Sequence, residues 1–306
     1  MAHVLVTGGA GFIGRTVVRQ LRDRGDTVTV ADLRAPEDPA VVGDSGVEVV
    51  VGDLRDPAVR ARVVTPETDG VVHLAALTSV LESVRRPAES YETNVAVTAG
   101  LLELVREAGV PTFVFASTNA VTGDVGRDTI REDRPLAPLT PYGATKAAAE
   151  MLLSAYTASY GIAGAALRFA NVYGPGMAHK DSFIPRLMRA ARDGGTVQIY
   201  GDGRQVRDFV HVSDIGRAVL AALSDRWTGP VILGSAESVS VLELVELVRE
   251  VTGAPLPAEH VPAKPGEMPA VVVDTSRARS LGWKAQVGLR EGIAGVWDEF
   301  RAAGRV

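Results

Sequence analysis

Tyr142 and Lys146 stand four residues apart in PLTPYGATKAAAE, residues 138 to 150, a stretch otherwise made mostly of small side chains. At that spacing on a helix the phenol and the ammonium share one face, one turn apart, so each feels the other. The chemistry open to such a couple is proton abstraction. A tyrosine titrates near pH 10, so populating its anion at neutral pH needs a shift of about 3 units, roughly 4 kcal/mol. One cation at about 4 Å, across an effective dielectric near 20, supplies about that much. Ser117 and Thr118, which close the apolar run beginning at Thr112, add hydroxyls that can meet the same substrate oxygen. Taken alone, the pair also fits a helix-start aromatic and a solvated lysine, so the surrounding elements decide between the two.

Those elements read as follows. Thr140 is the N-cap and Pro141 the first helical residue of the stretch that carries the couple, which puts the tyrosine in the opening turn. Upstream, short β-branched runs (HVLVT, TVTVAD, VEVVVGD, GVVHLAA, TFVFAS) alternate with longer amphipathic stretches, the first helix running from about Phe12 to Arg24. Such alternation predicts βαβ units around a buried parallel sheet, a doubly wound α/β fold. In that fold ligands bind beyond the carboxyl ends of the strands, where Ser117 and Thr118 fall. After ALRFANVYGPG the texture changes to loops and short elements. The expected division is a Rossmann domain over 1–172 and a smaller α/β lobe over 173–306, with a strand near 230–235 (PVILGS) returning to the main sheet.

VTGGAGFIG places Gly8, Gly11 and Gly14 directly after the first strand, at the start of the first helix. Glycines there allow a tight turn and let backbone N–H groups approach a pyrophosphate; a purely steric turn uses glycine too. Asp32 ends the second strand, where a carboxylate can accept hydrogen bonds from ribose hydroxyls and would repel a 2′-phosphate, so NAD is favoured over NADP. Arg34, two residues on, is of the type that compensates such a phosphate. Asp53 ends the third strand and can meet the adenine edge or cap the helix that follows.

The net charge of −5, without a long basic run, excludes the footprint of a nucleic-acid binder. The chain has no cysteine, and its five histidines are scattered without ligand spacing, so neither a disulfide nor a metal site is expected. No apolar run approaches a membrane span and no leader pattern precedes HVLVT; the expectation is a soluble cytoplasmic protein.

In order, TGGAGFIG, HLAA, the Ser-Thr pair after FA, PYGATK and VRDFVHVSD resemble the extended short-chain dehydrogenase/reductase family, and within it the NAD-dependent nucleotide-sugar 4-epimerases of the UDP-galactose 4-epimerase type. The resemblance runs through nearly the whole chain. It implies Tyr142 as catalytic base, Lys146 as the residue that lowers its pKa and holds the nicotinamide ribose, and Thr118 as the hydroxyl at sugar O4. Phe12, Ile13, Leu54, Leu74, Ala75, Ala76, Asn94, Ser117 and Phe169 fall on positions lining the NAD site; Thr78 and Asn119 fall on the substrate side. Asn171 and Arg207 resemble ligands of the substrate diphosphate, an arginine fork suiting phosphate where a salt bridge to Asp208 is the alternative. Gln198 to Tyr200 align with the segment that sandwiches uracil. Lys264 stands where an arginine is usual, and Glu267 where an acid holds the uridine ribose.

Within the family, 4,6-dehydratases carry Asp-Glu after the threonine. Here Asn119-Ala120 cannot shuttle protons. Uronate epimerases commonly place an arginine after YGP, and here Gly176 stands there, with His179 and Lys180 close by. Thr122 replaces a customary tyrosine, and Val271 falls on a gate for the C2 substituent, which leaves the N-acetylhexose pair open. The leading expectation is 4-epimerisation of a UDP-hexose with NAD. The alternatives are a uronate epimerase, dehydratase or 4-ketoreductase, and, from another class, a non-catalytic NAD-binding regulator, which loss of the Tyr-Lys couple would mark. The resemblance also implies a homodimer through helices near 87–109 and 142–160.

Overall fold

The computed structural model describes residues 1–36, 46–263 and 270–303. Its main sheet has seven strands, all parallel, in the spatial order Gly229–Leu233, Ala163–Phe169, Thr112–Thr118, Gly70–His73, His3–Thr7, Thr27–Asp32, Val47–Val51. The doubly wound reading is borne out. Helices cover both faces of the sheet, which is why its inner strands are apolar almost without alternation: Ala163–Phe169 is buried at every position. On one face Phe12–Asp23 packs against Val212–Ser224, through Val17, Val18, Leu21, Ile215 and Val219. On the other lie Val97–Ala108 and Pro141–Tyr160, through Leu101, Leu102, Val105, Ala149 and Leu153. The chain leaves His3–Thr7 toward Thr27–Asp32 and later crosses back to Gly70–His73 on its other side. That reversal opens a crevice at the carboxyl ends of the strands.

The second lobe stands over this crevice. Val206–His211 pairs with Ser238–Ser240, Ala270–Val273 and Asn171–Tyr173, and Val197–Tyr200 pairs with Ala258–Val261. Thr129–Ile130, from the first half of the chain, adds to Ala270–Val273, so the small sheet draws on both halves. Three helices, Phe183–Asp193, Val241–Thr252 and Leu289–Ala303, close the lobe's core with Leu187, Met188, Leu244, Val248, Ile293 and Val296. Phe12, from the glycine turn, is buried in that same core, so the cofactor-side turn and the second lobe are packed as one. Among the described residues no helix is long and apolar enough to cross a membrane.

Candidate active site

The helix that carries the couple begins where the sequence places it. Thr140 Oγ1 accepts from Gly143 N at 3.2 Å, and Pro141 takes the first position. Gly143 is there for space: a Cβ would stand 2.7 Å from the Ala120 carbonyl oxygen. Its absence lets the helix start press against the turn Asn119–Thr122 that follows Thr118, and so sets Tyr142 beside the Thr118 hydroxyl. Thr122 closes that turn by donating to Asn119 O at 2.8 Å, a role for which a hydroxyl directly on Cβ suffices.

Lys146 is buried. Its Nζ donates to Ala116 O at 2.8 Å and lies 4.6 Å from the centre of the Phe115 ring. The structure changes the electrostatics expected of the couple. Burial pushes the Tyr142 phenol up to about 12, against a weaker downward pull from its hydrogen bond with Thr118. Burial likewise brings Lys146 down to about 7, opposed by the Glu150 carboxylate. Desolvation disfavours charge on both groups at once, which the arithmetic for a pair at an effective dielectric of 20 leaves out.

The glycine turn fits a pyrophosphate. Gly8 has φ +72°, and a Cβ there would lie 2.7 Å from Ala75 N. A Cβ on Gly14 would lie 2.1 Å from the Gly8 carbonyl oxygen, so the helix start sits against the turn itself. Gly11 caps the helix with no side-chain hydrogen bond, and the first N–H groups therefore face the crevice with no cap of their own. At the far end Asp32 accepts from Ala10 N at 3.1 Å, beside exposed Arg34. Asp53 is not a cap: Asp56 caps the helix Pro57–Val63, accepting from Ala58 N at 2.8 Å, while Asp53 is held by the Arg55 guanidinium at 2.6 Å.

One cleft of about 850 Å³ gathers nearly all the sequence-derived residues. Gly8, Gly11, Phe12, Ile13, Gly14, Asp32, Arg34, Asp53 and Leu54 line one end; Leu74, Ala75, Ala76, Thr78, Ser117, Thr118, Tyr142, Lys146 and Phe169 line the middle; Asn171, Gln198, Tyr200 and Arg207 line the lobe above. Ser117 lines it only in part, since its hydroxyl donates to Glu150. Asn171 Nδ2 is tied to Asp208 O at 2.8 Å, and Asp208 in turn accepts from Ser235 N.

Two residues lie behind the wall. Asn94 is on a single π-helical turn, Glu92–Ala96, and clamps the loop after Gly70–His73: it accepts from Leu77 N at 2.8 Å and donates to Leu77 O and Thr145 Oγ1. Asn119 is buried, and its side-chain amide has no hydrogen-bond partner among the described residues. Val271 is packed with Ile130, Ile232 and Val273 and is not among the described residues of the cleft wall, so nothing among the described residues makes it a gate. Lys264 and Glu267 lie outside the described residues. The cleft also holds cations given no binding role by the motifs: Lys180, over the Phe12 ring at 5.2 Å, and Arg186, whose Nε is buried without a partner among the described residues. An arginine at Gly176 would be strained here. The glycine's φ is +95°, and the end of Arg15 lies in the space a Cβ would need.

Comparison with known proteins shows the family. Residues 4–232 match the model of the NAD dependent epimerase/dehydratase family. The UDP-glucose 4-epimerase of Corynebacterium glutamicum is 33% identical over 98% of this chain and 96% of its own. The UDP-N-acetylglucosamine 4-epimerase of Methanobrevibacter ruminantium M1, solved with UDP-N-acetylmuramic acid, superposes with a TM-score of 0.93 at 28% identity, over 99% of both chains. MoeE5, solved with UDP-glucuronic acid and NAD, superposes with a TM-score of 0.90 at 39% identity, over 99% of this chain and 100% of its own. The chain therefore belongs to the NAD dependent epimerase/dehydratase family.

Proposed function

We propose that the protein is an NAD-dependent UDP-hexose 4-epimerase, interconverting UDP-glucose and UDP-galactose, with the N-acetylated pair as further candidate substrates. The observation that carries this reading is the meeting of Thr118, Tyr142 and Lys146 in the cleft that also holds the glycine turn, with Asn119-Ala120 and not an Asp-Glu pair directly after Thr118. Residues 1–172 with Gly229–Leu233 form the cofactor unit in this reading, and the rest of 173–306 forms the substrate lobe. When bound, NAD supplies the reversible two-electron oxidation at sugar C4 that no side chain of this chain can. Tyr142 takes the proton from the C4 hydroxyl and returns it, Thr118 holds the same oxygen, and Lys146 keeps positive charge beside the phenol. Arg207 and Asn171 hold the diphosphate, so the sugar can turn over while the nucleotide stays fixed.

A second reading, a UDP-uronate 4-epimerase, has its own support. Among the described residues Lys180 has no carboxylate partner and Arg186 Nε has no hydrogen-bond partner, and both line the cleft. Proton NMR of the protein with UDP-glucose, UDP-N-acetylglucosamine and UDP-glucuronate in turn separates the two. New galacto-configured anomeric signals from the first are expected; signals from the glucuronate alone would favour the second reading, and silence on all three would sink both.

The same reading places the enzyme in the cytoplasm, as a homodimer. Leu81, Val84, Tyr91 and Met151 are exposed on the helices Val80–Arg85, Pro87–Tyr91 and Pro141–Tyr160, an apolar set that a second copy would cover. Light scattering is expected to give twice the chain mass, falling to one chain mass in Leu81→Glu/Met151→Glu. A monomer in the unmodified protein would end the dimer proposal.

A further inference from the structure

Glu150 continues the face of the helix that bears Tyr142 and Lys146, one turn beyond the lysine. Its side chain is 6% exposed, and that of Arg168, on the neighbouring strand, 3%. The two form a forked pair: Arg168 Nε donates to Oε1 at 3.0 Å and Nη2 to Oε2 at 2.7 Å. Ser117, next to Thr118, donates its hydroxyl to Oε1. Arg168 Nη1 donates to Glu132 O at 3.2 Å, and Glu132 accepts from Ile232 N at 2.9 Å, so the network reaches the edge strand. A buried ion pair is a poor source of net stability, because removing both charges from water offsets their attraction. Its place under the catalytic couple calls for another account.

The groups around Lys146 supply one. On its own helix it faces Tyr142 and Glu150. The strand Thr112–Thr118 offers the Phe115 ring, the Ala116 carbonyl and the Ser117 and Thr118 hydroxyls. From Gly70–His73 comes His73, whose ring nitrogens are held by Thr7 and Thr98 and whose burial brings it to about 3, so it is neutral. Among the described residues Glu150 is the carboxylate whose charge acts on Lys146, with Arg168 bound to that carboxylate.

We propose that Glu150, clamped by Ser117 and Arg168, is a positioning residue that keeps Lys146 charged and aligned with Tyr142 and Thr118. The proposal rests on reading Tyr142 and Lys146 as the working couple, and its test reads the lysine itself.

Lys146, Lys180, Lys264 and Lys284 are the chain's lysines, so 13Cε-lysine labelling gives a spectrum in which Lys146 is assigned by its loss in Lys146→Met. The titration midpoint of Lys146 is compared in the unmodified protein, in Glu150→Gln and in Glu150→Gln/Arg168→Met. The double variant matters because the single one leaves Arg168 unpaired, and a neutral pair of similar volume is the replacement a core tolerates best. In the double variant the midpoint is expected to fall by about one pH unit, a tenfold weaker hold on the proton, and in the single variant to fall further because the unpaired Arg168 cation adds repulsion, the alkaline limb of the kcat profile moving the same way in each. A midpoint equal to that of the unmodified protein in the double variant, with only the melting temperature changed, overturns the proposal. A shifted midpoint in a protein that turns over no nucleotide sugar would instead keep the proposal and remove the epimerase reading.

Discussion

Tyr142→Phe is expected to lower kcat for the UDP-hexose by about 10²–10⁴-fold, the usual loss when a positioned acid/base group is removed, with KM little changed. The argument is local. The ring lies in the opening turn of Pro141–Tyr160, and only its oxygen faces Thr118. Phenylalanine keeps the ring's packing and leaves the N-cap and the Gly143 contact untouched, so folding and NAD binding should persist. Thr118→Val, which removes the hydroxyl beside the same oxygen, should cost less, because the base remains. The check is single-turnover kinetics on protein shown to retain NAD. Undiminished turnover in Tyr142→Phe would remove the phenol from the reaction and with it the proposed role of Lys146.

What the sequence made legible is what short-range geometry determines. The glycine spacing after the first strand, the Thr140-Pro141 helix start and the i, i+4 couple each depend on a few neighbouring residues, and the structure has them in place. The parallel, doubly wound sheet follows from the alternation of apolar runs and helices, whereas the order of its strands comes from the structure alone. What long-range packing decides was hidden. Asn94 belongs behind the wall because one π-helical turn directs it at Leu77, and no pattern announces that turn. Gly176 takes φ +95°, which disfavours any side chain, and the end of Arg15, a residue 161 positions earlier, lies in the space beside it.

The Tyr-Lys electrostatics are not legible locally for the same reason: burial is a tertiary property, and it opposes charge on both groups. Glu150 was within reach of sequence reasoning, since PYGATKAAAE repeats the four-residue spacing once more. Its significance depends on Arg168, eighteen residues on along the chain and one strand away, for which nothing local speaks. Asp53 and Asp56 show the opposite failure. Asp53 is the cap candidate the sequence reading offers, and the structure puts Asp56, three residues on and followed directly by Pro57, in that role.

Gly14→Ala is expected to abolish retention of NAD in the purified protein and to lower NAD affinity by at least about 100-fold. The new methyl would meet Gly8 O at 2.1 Å, Gly9 Cα at 2.6 Å and Gly8 C at 2.9 Å, all of them backbone atoms that no rotamer change can clear. The turn must therefore move away from the helix start, and the N–H groups that face the cleft move with it. Overpacking of this kind also costs about 1–3 kcal/mol of stability, so affinity alone would not separate a displaced cradle from a weakened fold. Gly109→Ala supplies the control. Gly109 has φ +71° with nothing within 4 Å of its would-be Cβ, so alanine there suffers about 1–2 kcal/mol of left-handed strain, far from the cleft. Fluorescence titration with NAD, beside thermal unfolding of both variants, should show similar losses of stability but lost binding in Gly14→Ala alone. Equal NAD affinity in the two would mean that the glycine turn is a steric device for packing the first helix and not the pyrophosphate cradle.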